Sequence, residues 1–340
     1  MKFKKFLLLG LVAVLMLVSV ACSQGTTGGE KATSDGVQKI KIANYFAEDH
    51  PQNIALKEKF KKIVEEKTNG KVVVEIYPSN QLGDEAQFTN GVRNGTVEMA
   101  ITGMGLQTAN PKIGAVEWPY LFDNYDHAKK ALDGEVGDEI EAEFRKLGVE
   151  PLAWTVNGFR VISANRSIKS MDDFKGFRLR MPNIPIFVNT GKALGTSVQP
   201  LPLSEVFTAL EQKVIDGQEN PYATLKASGF YEVQTSVLES NHMFSPNVYL
   251  MNKKLFDGFD KETQQIILEA AQESANYEWE LLLKSENEVK DFLKEKGLEI
   301  IVPDAAFKEQ MVKAMDPVYQ DLYKQFDWAE AFVQKVRDLK

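Results

Sequence analysis

The sequence contains little of the side-chain chemistry on which most enzymes depend. Among its 340 residues there are one cysteine and three histidines. The histidines, His50, His127 and His242, lie far apart without the spacing of metal ligands, so we expect each to be structural. The sequence also has no nucleophile-elbow, Walker or calcium-loop motif. These absences argue against catalysis, and we expect no catalytic residues, no metal and no cofactor.

An excess of positive charge is also missing. The chain has 40 lysines and arginines against 48 acidic residues, and its formal net charge is −8. Without a basic block it is a poor candidate for nucleic-acid binding. The glycine pair Gly103 and Gly105 lacks the third glycine of a dinucleotide fingerprint, which excludes that site. We interpret the pair as backbone that either a small ligand or Met104 can approach closely.

The first residues have the pattern of a targeting signal. A basic start at 1–5 precedes an apolar run from Phe6 to Ala21. This run is typical of a secretory signal peptide and is too short for a membrane span. We therefore expect residues 1–21 to be a signal peptide and the rest of the chain to be extracytoplasmic, in the periplasm or at the outer face of the cell membrane.

The single cysteine lies directly after this segment. Ser19-Val20-Ala21-Cys22 is similar to a bacterial lipobox, although leucine is more usual than Ser19. We expect Cys22 to be lipidated, because an acylated cysteine is an anchor whereas an unpaired thiol is a liability outside the cell. The alternative is ordinary cleavage at Ala21 with a free thiol. Residues 22–38 would then form a lipidated tether, since their small polar composition cannot bury a core.

The patterning of the remaining chain predicts an α/β fold. Residues 39–43 alternate like a strand, and 71–77 form a second predicted strand. The two enclose a helical segment at 52–67, which makes a βαβ unit and favours parallel strands. A chain of this length usually splits into two domains. The longest periodic segment begins after Asp260, a fitting N-cap, and ends at Gly297. A helix of this length can pack along two domains at once.

Arg180 is the most informative candidate for binding. Residues 177–181 alternate apolar and basic side chains, which indicates a short strand that Pro182 ends. Arg180 therefore lies at the carboxyl end of a strand, where open α/β sheets bind ligands. Its guanidinium group matches a carboxylate and can hold it with two hydrogen bonds. The alternative is a surface salt bridge.

Two further polar residues lie near predicted chain turns. Arg160 follows Asn157-Gly158-Phe159 near the end of a strand, where it could equally be an ordinary surface charge. Asn220 belongs to a segment, 218–221, that we predict to be a polar loop. Because Pro221 follows it, Asn220 is kept extended with its amide available for bonding. The alternative for Asn220 is a simple Asx turn.

Several segments resemble the substrate-binding proteins of TRAP transporters, the DctP family, in content and order. The resemblance covers about residues 39–302 and is carried by YPSNQLGDE at 77–85, NGFRVISANRSI at 157–168, DDFKGFRLRMPN at 172–183, PLSEVFTALEQKVIDGQENP at 202–221 and FYEVQ at 230–234. It implies a two-lobed periplasmic-binding-protein (type II-like) fold with a cleft between the lobes and one long helix spanning both. Lobe I would comprise 39–156 plus about 245–285, and lobe II 157–244 plus about 286–340.

The resemblance also implies a function. Such proteins capture a carboxylate-bearing small molecule and deliver it to a sodium-coupled TRAP membrane permease, without catalysis. Matching the family's motifs residue by residue puts Arg180 against the ligand carboxylate and makes further contacts of Arg160, Asn220 and Asn183. Glu85 and Tyr45 are weaker candidates on loops that would edge the cleft.

The identity of the ligand stays open at this stage. Sialic-acid-binding members carry a carboxylate near the position of Gly103 and a phenylalanine in place of Leu203, so sialic acid is set aside. A C4-dicarboxylate and a sugar acid such as a hexuronate both remain. The alternative functions are an extracytoplasmic ligand sensor that uses the same cleft and a secreted enzyme acting on an acid sugar.

Overall fold

The computed structural model describes residues 36–339, which contain two β-sheets. Its eleven strands are β1 (Gln38–Ala43), β2 (Val72–Tyr77), β3 (Met99–Thr102), β4 (Val149–Phe159), β5 (Val161–Ala164), β6 (Arg178–Met181), β7 (Ser197–Pro200), β8 (Gly217–Asn220), β9 (Ser236–Leu238), β10 (Phe244–Asn252) and β11 (Glu299–Ile301). The first sheet has the order β2-β1-β3-β10-β4 and the second β11-β9-β5-β8-β6-β7. Cys22 and the segments 1–21 and 22–35 lie outside the described residues.

Thirteen α-helices cover and connect the sheets within this part of the chain. They are α1 (Pro51–Ala55), α2 (Lys62–Lys67), α3 (Glu85–Asn94), α4 (Tyr125–Leu132), α5 (Glu135–Lys146), α6 (Pro185–Ala193), α7 (Val206–Glu211), α8 (Tyr222–Ala227), α9 (Lys253–Gly258), α10 (Lys261–Glu295), α11 (Ala305–Lys313), α12 (Asp316–Gln325) and α13 (Ala329–Arg337). None of the described helices is both long and apolar enough to cross a membrane.

The first βαβ unit has the predicted parallel pairing. β1 runs parallel to β2, with Ile40 opposite Val74. The chain between them is helical from α1 through a π-helical turn (Leu56–Lys61) to α2. Its apolar side chains, spaced four residues apart, are fully buried against the sheet: Leu56, Phe60 and Val64. Periodicity alone was therefore enough to place this layer.

Helix α10 packs against both sheets, as predicted. The Asp260 carboxylate accepts a hydrogen bond from the Thr263 amide (2.7 Å), which satisfies one of the free N–H groups at the helix start. Gly297 has a φ of +88°, a left-handed conformation that favours glycine after a helix end. The amino-terminal half of α10 packs into the core of the first sheet, and its carboxyl-terminal half packs under the second sheet around Val289 and Leu293.

The chain passes between the two sheets at two short connections besides α10. β4 leads directly into β5 through Arg160, and β9 leads back into β10 through residues 239–243. Helix α12 also touches parts of both halves. Tyr319 of α12 donates to the Pro119 carbonyl oxygen (2.7 Å), and α12 contacts α6. The exact division of the chain into lobes stays a prediction.

Two local predictions were wrong. Residues 218–220 are not a loop: they form β8, a buried strand between β5 and β6. Their polar side chains misled the prediction because they bond to one another and to neighbouring strands inside the protein. The sequence spacing also predicts one helix face formed by Val206, Phe207, Leu210 and Val214, but Val214 is 53% exposed. Helix α7 ends at Glu211, and Lys213 with a φ of +57° turns the chain outward.

Candidate functional site

A cavity of about 310 Å³ lies between the loops of the first sheet and the ends of β6 and β8. This volume is at the lower end of the range for small-molecule sites. The structure brings all six candidates from the sequence to this one cleft, although they span almost 180 positions of the chain. They are Tyr45, Glu85, Arg160, Arg180, Asn183 and Asn220.

Arg180 lies at the end of β6 and is only 3% exposed. Its Nε and Nη2 both donate to the Leu201 carbonyl oxygen, at 2.9 and 2.6 Å. Burial lowers the pKa of the guanidinium group to about 10, so it is charged at neutral pH. Within residues 36–339 no carboxylate lies within 4.0 Å of it, and Nη1 has no hydrogen-bond partner. The guanidinium group therefore has donors left for a ligand.

Arg178, two residues earlier, forms the kind of surface salt bridge that was the alternative prediction for Arg180. Its side chain is 42% exposed and forms a bidentate ion pair with Asp216, at 2.9 and 2.6 Å. That is a structural salt bridge at the surface. The two arginines of one strand thus have different surroundings, and only Arg180 presents an unneutralised charge to the cleft.

Arg160 lines the same cleft, but Glu219 neutralises it. Its Nε donates to Glu219 Oε2, and Nη2 donates to Glu219 Oε1 (2.8 Å) and to Asn220 Oδ1 (3.0 Å). Nη1 donates to the Ser245 hydroxyl (3.2 Å). Burial by itself would raise the pKa of Glu219, but Arg160 and His242 outweigh it and lower this pKa to about 2. Arg160 is thus a charged but internally paired group.

Sequence reasoning missed Glu219 because it treated residues 218–221 as a loop. The strand assignment explains its role: with β8 buried, the Glu219 side chain is 0% exposed beside Arg160. The same network orients Asn220, whose Nδ2 donates to Gln218 Oε1 (2.6 Å). Asn183, by contrast, is exposed where the chain leaves β6.

Another part of the cleft lining carries oxygen atoms from the loops beside the first sheet. Glu85, just after the Asp84 cap of α3, accepts hydrogen bonds from the Thr102 hydroxyl (2.6 Å) and the Gly103 amide (2.9 Å). Burial raises its pKa in spite of these two bonds. The Tyr45 hydroxyl accepts from Asn247 Nδ2 (2.9 Å).

A third oxygen group, Glu117, was not among the candidates. It ends a 3₁₀ helix (Pro111–Glu117), lines the cleft and is 3% exposed. Burial and the neighbouring charge of Glu85 raise its pKa to about 8. In the sequence, Glu117 is marked only by its place directly before the aromatic-rich segment at 118–122, and most segments of this kind have a packing role.

The three groups converge on Gly103. A Cβ atom at this glycine would lie 3.4 Å from Glu85 Oε1, 3.6 Å from Glu117 Oε1 and 3.6 Å from the Tyr45 hydroxyl. The absence of a side chain leaves room for a ligand group between these oxygens. The cleft therefore contains a cationic group, Arg180, and an oxygen-rich, acidic cluster around Gly103.

Comparison with known proteins gives a consistent result. The family described as bacterial extracellular solute-binding protein, family 7 (DctP), matches residues 42–325. A TRAP periplasmic solute-binding protein of Haemophilus influenzae, solved with bound L-gulonate, is 49% identical with a TM-score of 0.87, covering 89% of this chain and 100% of that one. The sugar-acid-binding protein DctPAm of Advenella mimigardefordensis, solved with galactonate, is 28% identical with a TM-score of 0.86, covering 89% and 99%.

A relative from Escherichia coli agrees with these structures. The 2,3-diketo-L-gulonate-binding periplasmic protein YiaO is 33% identical over 271 residues, which are 79% of this chain and 82% of that protein. The two-lobed fold expected from the sequence is confirmed by these neighbours. The family match over most of the chain, the shared fold and the cleft lead to one conclusion: this chain belongs to the DctP family and is an extracytoplasmic solute-binding protein of the TRAP transporter type.

Proposed function

We propose that this protein captures a sugar acid, a polyhydroxylated monocarboxylate, and delivers it unchanged to a TRAP membrane permease. The observation that carries the proposal is that one cavity is lined both by Arg180 and by the acidic oxygens around Gly103. A sugar acid has a carboxylate at one end and hydroxyl groups along the rest. The carboxylate would pair with Arg180, and the hydroxyl groups would face Glu85, Glu117 and Tyr45.

The acidic side chains around Gly103 favour a sugar acid over a C4-dicarboxylate. A second carboxylate placed near Gly103 would face the Glu85 carboxylate, and like charges at such a distance disfavour each other. A hydroxyl group at that point can instead donate a hydrogen bond to a carboxylate. The relatives solved with gulonate and galactonate support the same class of ligand.

The remaining residues of the proposed site orient the ligand. Asn220 is held by Gln218 and Arg160, and Arg160 is held by Glu219, so their positions are set before a ligand arrives. Pre-set donors lower the entropic cost of binding. Asn183, exposed beside the cleft, would contact the ligand as the lobes close around it.

We also propose that Cys22 anchors the protein to the membrane through a lipid. This residue lies outside the described residues, and the proposal rests on the lipobox-like sequence alone. Mass spectrometry of the intact protein from membranes tests it. An unmodified thiol, or a mature chain that begins at another residue, would contradict the anchor without affecting the binding site.

A thermal-shift screen tests the proposed ligand class. The panel contains gulonate, galactonate and glucuronate, the dicarboxylates succinate and malate, and sorbitol as a polyol without a carboxylate. A ligand at 100 times its Kd stabilises the folded state by about 2.7 kcal/mol, which raises the melting temperature by several degrees. We expect a rise with at least one sugar acid and none with sorbitol. A rise with the dicarboxylates alone would overturn the assignment.

Replacing Gly103 with alanine is expected to weaken sugar-acid binding about 5- to 150-fold. The added methyl group would stand within 3.6 Å of Glu85 Oε1, Glu117 Oε1 and the Tyr45 hydroxyl, in the space assigned to a ligand hydroxyl group. Such crowding typically costs about 1–3 kcal/mol. Isothermal titration calorimetry with L-gulonate measures the change.

Gly258→Ala is the matched control, because no atom lies within 4 Å of a Cβ at that glycine, at the end of α9. It should bind L-gulonate like the parent protein. Unchanged binding by Gly103→Ala would show that ligand groups do not occupy the space above Gly103.

A further inference from the structure

Glu117 is a buried carboxyl group without a cationic partner. Among residues 36–339 no lysine, arginine or histidine nitrogen lies within 4.0 Å of its oxygens, although it is only 3% exposed. Glu219, in the same cleft region, is paired directly with Arg160. An unpaired carboxylate in a buried place is costly, and such a group tends to remain protonated instead.

The two oxygens of Glu117 have different surroundings. Gln107 Nε2 donates a hydrogen bond to Glu117 Oε2 (2.9 Å). Oε1 points toward Gly103, where a Cβ would lie 3.6 Å away. Since Oε2 already accepts an N–H donor, the proton of a neutral carboxyl group belongs on Oε1. The O–H bond would therefore be presented to the cleft.

A second glycine, Gly114, leaves the space that the Gln107 amide occupies. A Cβ atom at Gly114 would lie 2.2 Å from Gln107 Oε1 and 2.6 Å from its Cδ. Only a glycine leaves room for the amide at this point, because real Cβ atoms do not approach so closely. The pair of Gly114 and Gln107 thus orients the Glu117 carboxyl group from behind, away from the ligand.

The surroundings of the two carboxyl groups favour an ionised Glu85 and a neutral Glu117. The Glu85 carboxylate accepts from the Thr102 hydroxyl and the Gly103 amide, and two donors favour an ionised group. Glu117 has one neutral amide donor. Tyr45 faces it from the loop after β1, and Arg160 and Glu219 face it from lobe II as a mutually neutralised pair. The pKa of Glu117, raised to about 8 by burial and by Glu85, agrees with this division.

We propose that Glu117 is a specificity-determining residue that binds the ligand as a neutral carboxyl group. Its O–H group on Oε1 donates a hydrogen bond to a ligand hydroxyl oxygen. The same ligand hydroxyl group donates a hydrogen bond to the Glu85 carboxylate. Only a group that both donates and accepts satisfies the two carboxyl groups together. A carboxylate cannot donate to Glu85, and a deoxy carbon can do neither. This inference rests on the proposed function, because it takes the ligand to be a sugar acid.

The test is isothermal titration calorimetry with L-gulonate between pH 6.5 and 9, in pairs of buffers with different ionisation enthalpies. Binding needs the protonated form of Glu117, and this form is lost as the pH rises through about 8. We expect an unchanged Kd near pH 6.5 and a Kd about tenfold weaker at pH 9, in proportion to the protonated fraction. Binding at pH 8 and above should take up protons from the buffer, approaching one per ligand at pH 9.

Two variants distinguish the hydrogen-bond donor role of Glu117 from the packing of its side chain. Glu117→Gln cannot ionise but keeps an N–H donor, and we expect its Kd to stay constant from pH 7 to 9 without proton uptake. Glu117→Met can neither ionise nor donate a hydrogen bond, and it should bind L-gulonate roughly tenfold more weakly than Glu117→Gln at pH 7. Glu141→Gln is the control: Glu141 also has a pKa raised by burial but bonds to Arg145 and Trp154 away from the cleft. It should keep the pH profile of the parent protein.

Two results would overturn the proposal. One is a parent protein whose Kd is independent of pH and whose binding takes up no proton, a measurement that needs no variant. The other is a Glu117→Gln variant with the pH dependence of the parent. In either case L-gulonate still binds and the proposed function stands. Failure of every sugar acid to bind at pH 6.5, where Glu117 is protonated, would contradict the proposed function as well.

Discussion

Replacing Arg180 with alanine is expected to weaken sugar-acid binding by roughly 30- to 4,000-fold. Arg180 is 3% exposed at the end of β6, and no carboxylate of the described residues lies within 4.0 Å of it. The ligand carboxylate would be its partner in a water-poor cleft. Removing one member of a desolvated charge pair costs about 2–5 kcal/mol, which corresponds to this range. Isothermal titration calorimetry with L-gulonate measures it.

Arg178→Ala is the control for this prediction. Arg178 belongs to the same strand, but its charge is already paired with Asp216 and its side chain is 42% exposed. We expect it to change the Kd for L-gulonate by less than about threefold, since its ion pair does not involve the cleft. A change below about threefold for Arg180→Ala would mean that the ligand carboxylate binds elsewhere.

The second large effect concerns stability. Glu219→Gln is expected to lower the free energy of unfolding by about 3–5 kcal/mol. The substitution leaves the Arg160 guanidinium group buried without its carboxylate, and Arg160 is only 4% exposed. Scanning calorimetry should show a melting temperature lower by on the order of 10 °C. Neutral partners such as Ser245 and Asn220 cannot replace the lost charge.

A similar ion pair at the surface provides the comparison. Asp216→Asn removes the charge opposite Arg178, whose side chain is 42% exposed, and should cost about 1 kcal/mol or less. Equal losses in the two variants would show that burial does not decide the strength of these pairs. Little loss in Glu219→Gln would show that Arg160 can relax toward solvent.

The pH dependence gives an independent check on Glu219. Its pKa in the folded protein, about 2, lies below the ordinary value of 4.5. The stabilisation is therefore complete above about pH 4.5 and is lost as the pH falls through about 2. The difference in stability between the parent protein and Glu219→Gln should shrink over that interval. A difference that stays constant from pH 5 to 2 would contradict the ion pair.

Local sequence rules predicted much of the fold and the central residue of the proposed site. Asp260 and Gly297 marked the ends of a 35-residue helix because capping depends on only a few neighbouring residues. The alternation before Pro182 placed Arg180 at a strand end for the same reason. These rules failed where polar residues were taken to indicate an exposed loop. Gln218 and Glu219 are polar, yet their strand is fully buried.

The sequence by itself determined the helices, most of the strands, the family and the arginine on which the binding proposal depends, because these follow from periodicity and short motifs. Only the tertiary structure decided the charge state of the cleft. It paired Arg160 with Glu219, 59 positions away, and left Arg180 without an ion pair among the described residues. It also buried Glu117 beside Glu85. Burial and charge–charge distance arise from contacts between distant parts of the chain, and no local pattern contains them.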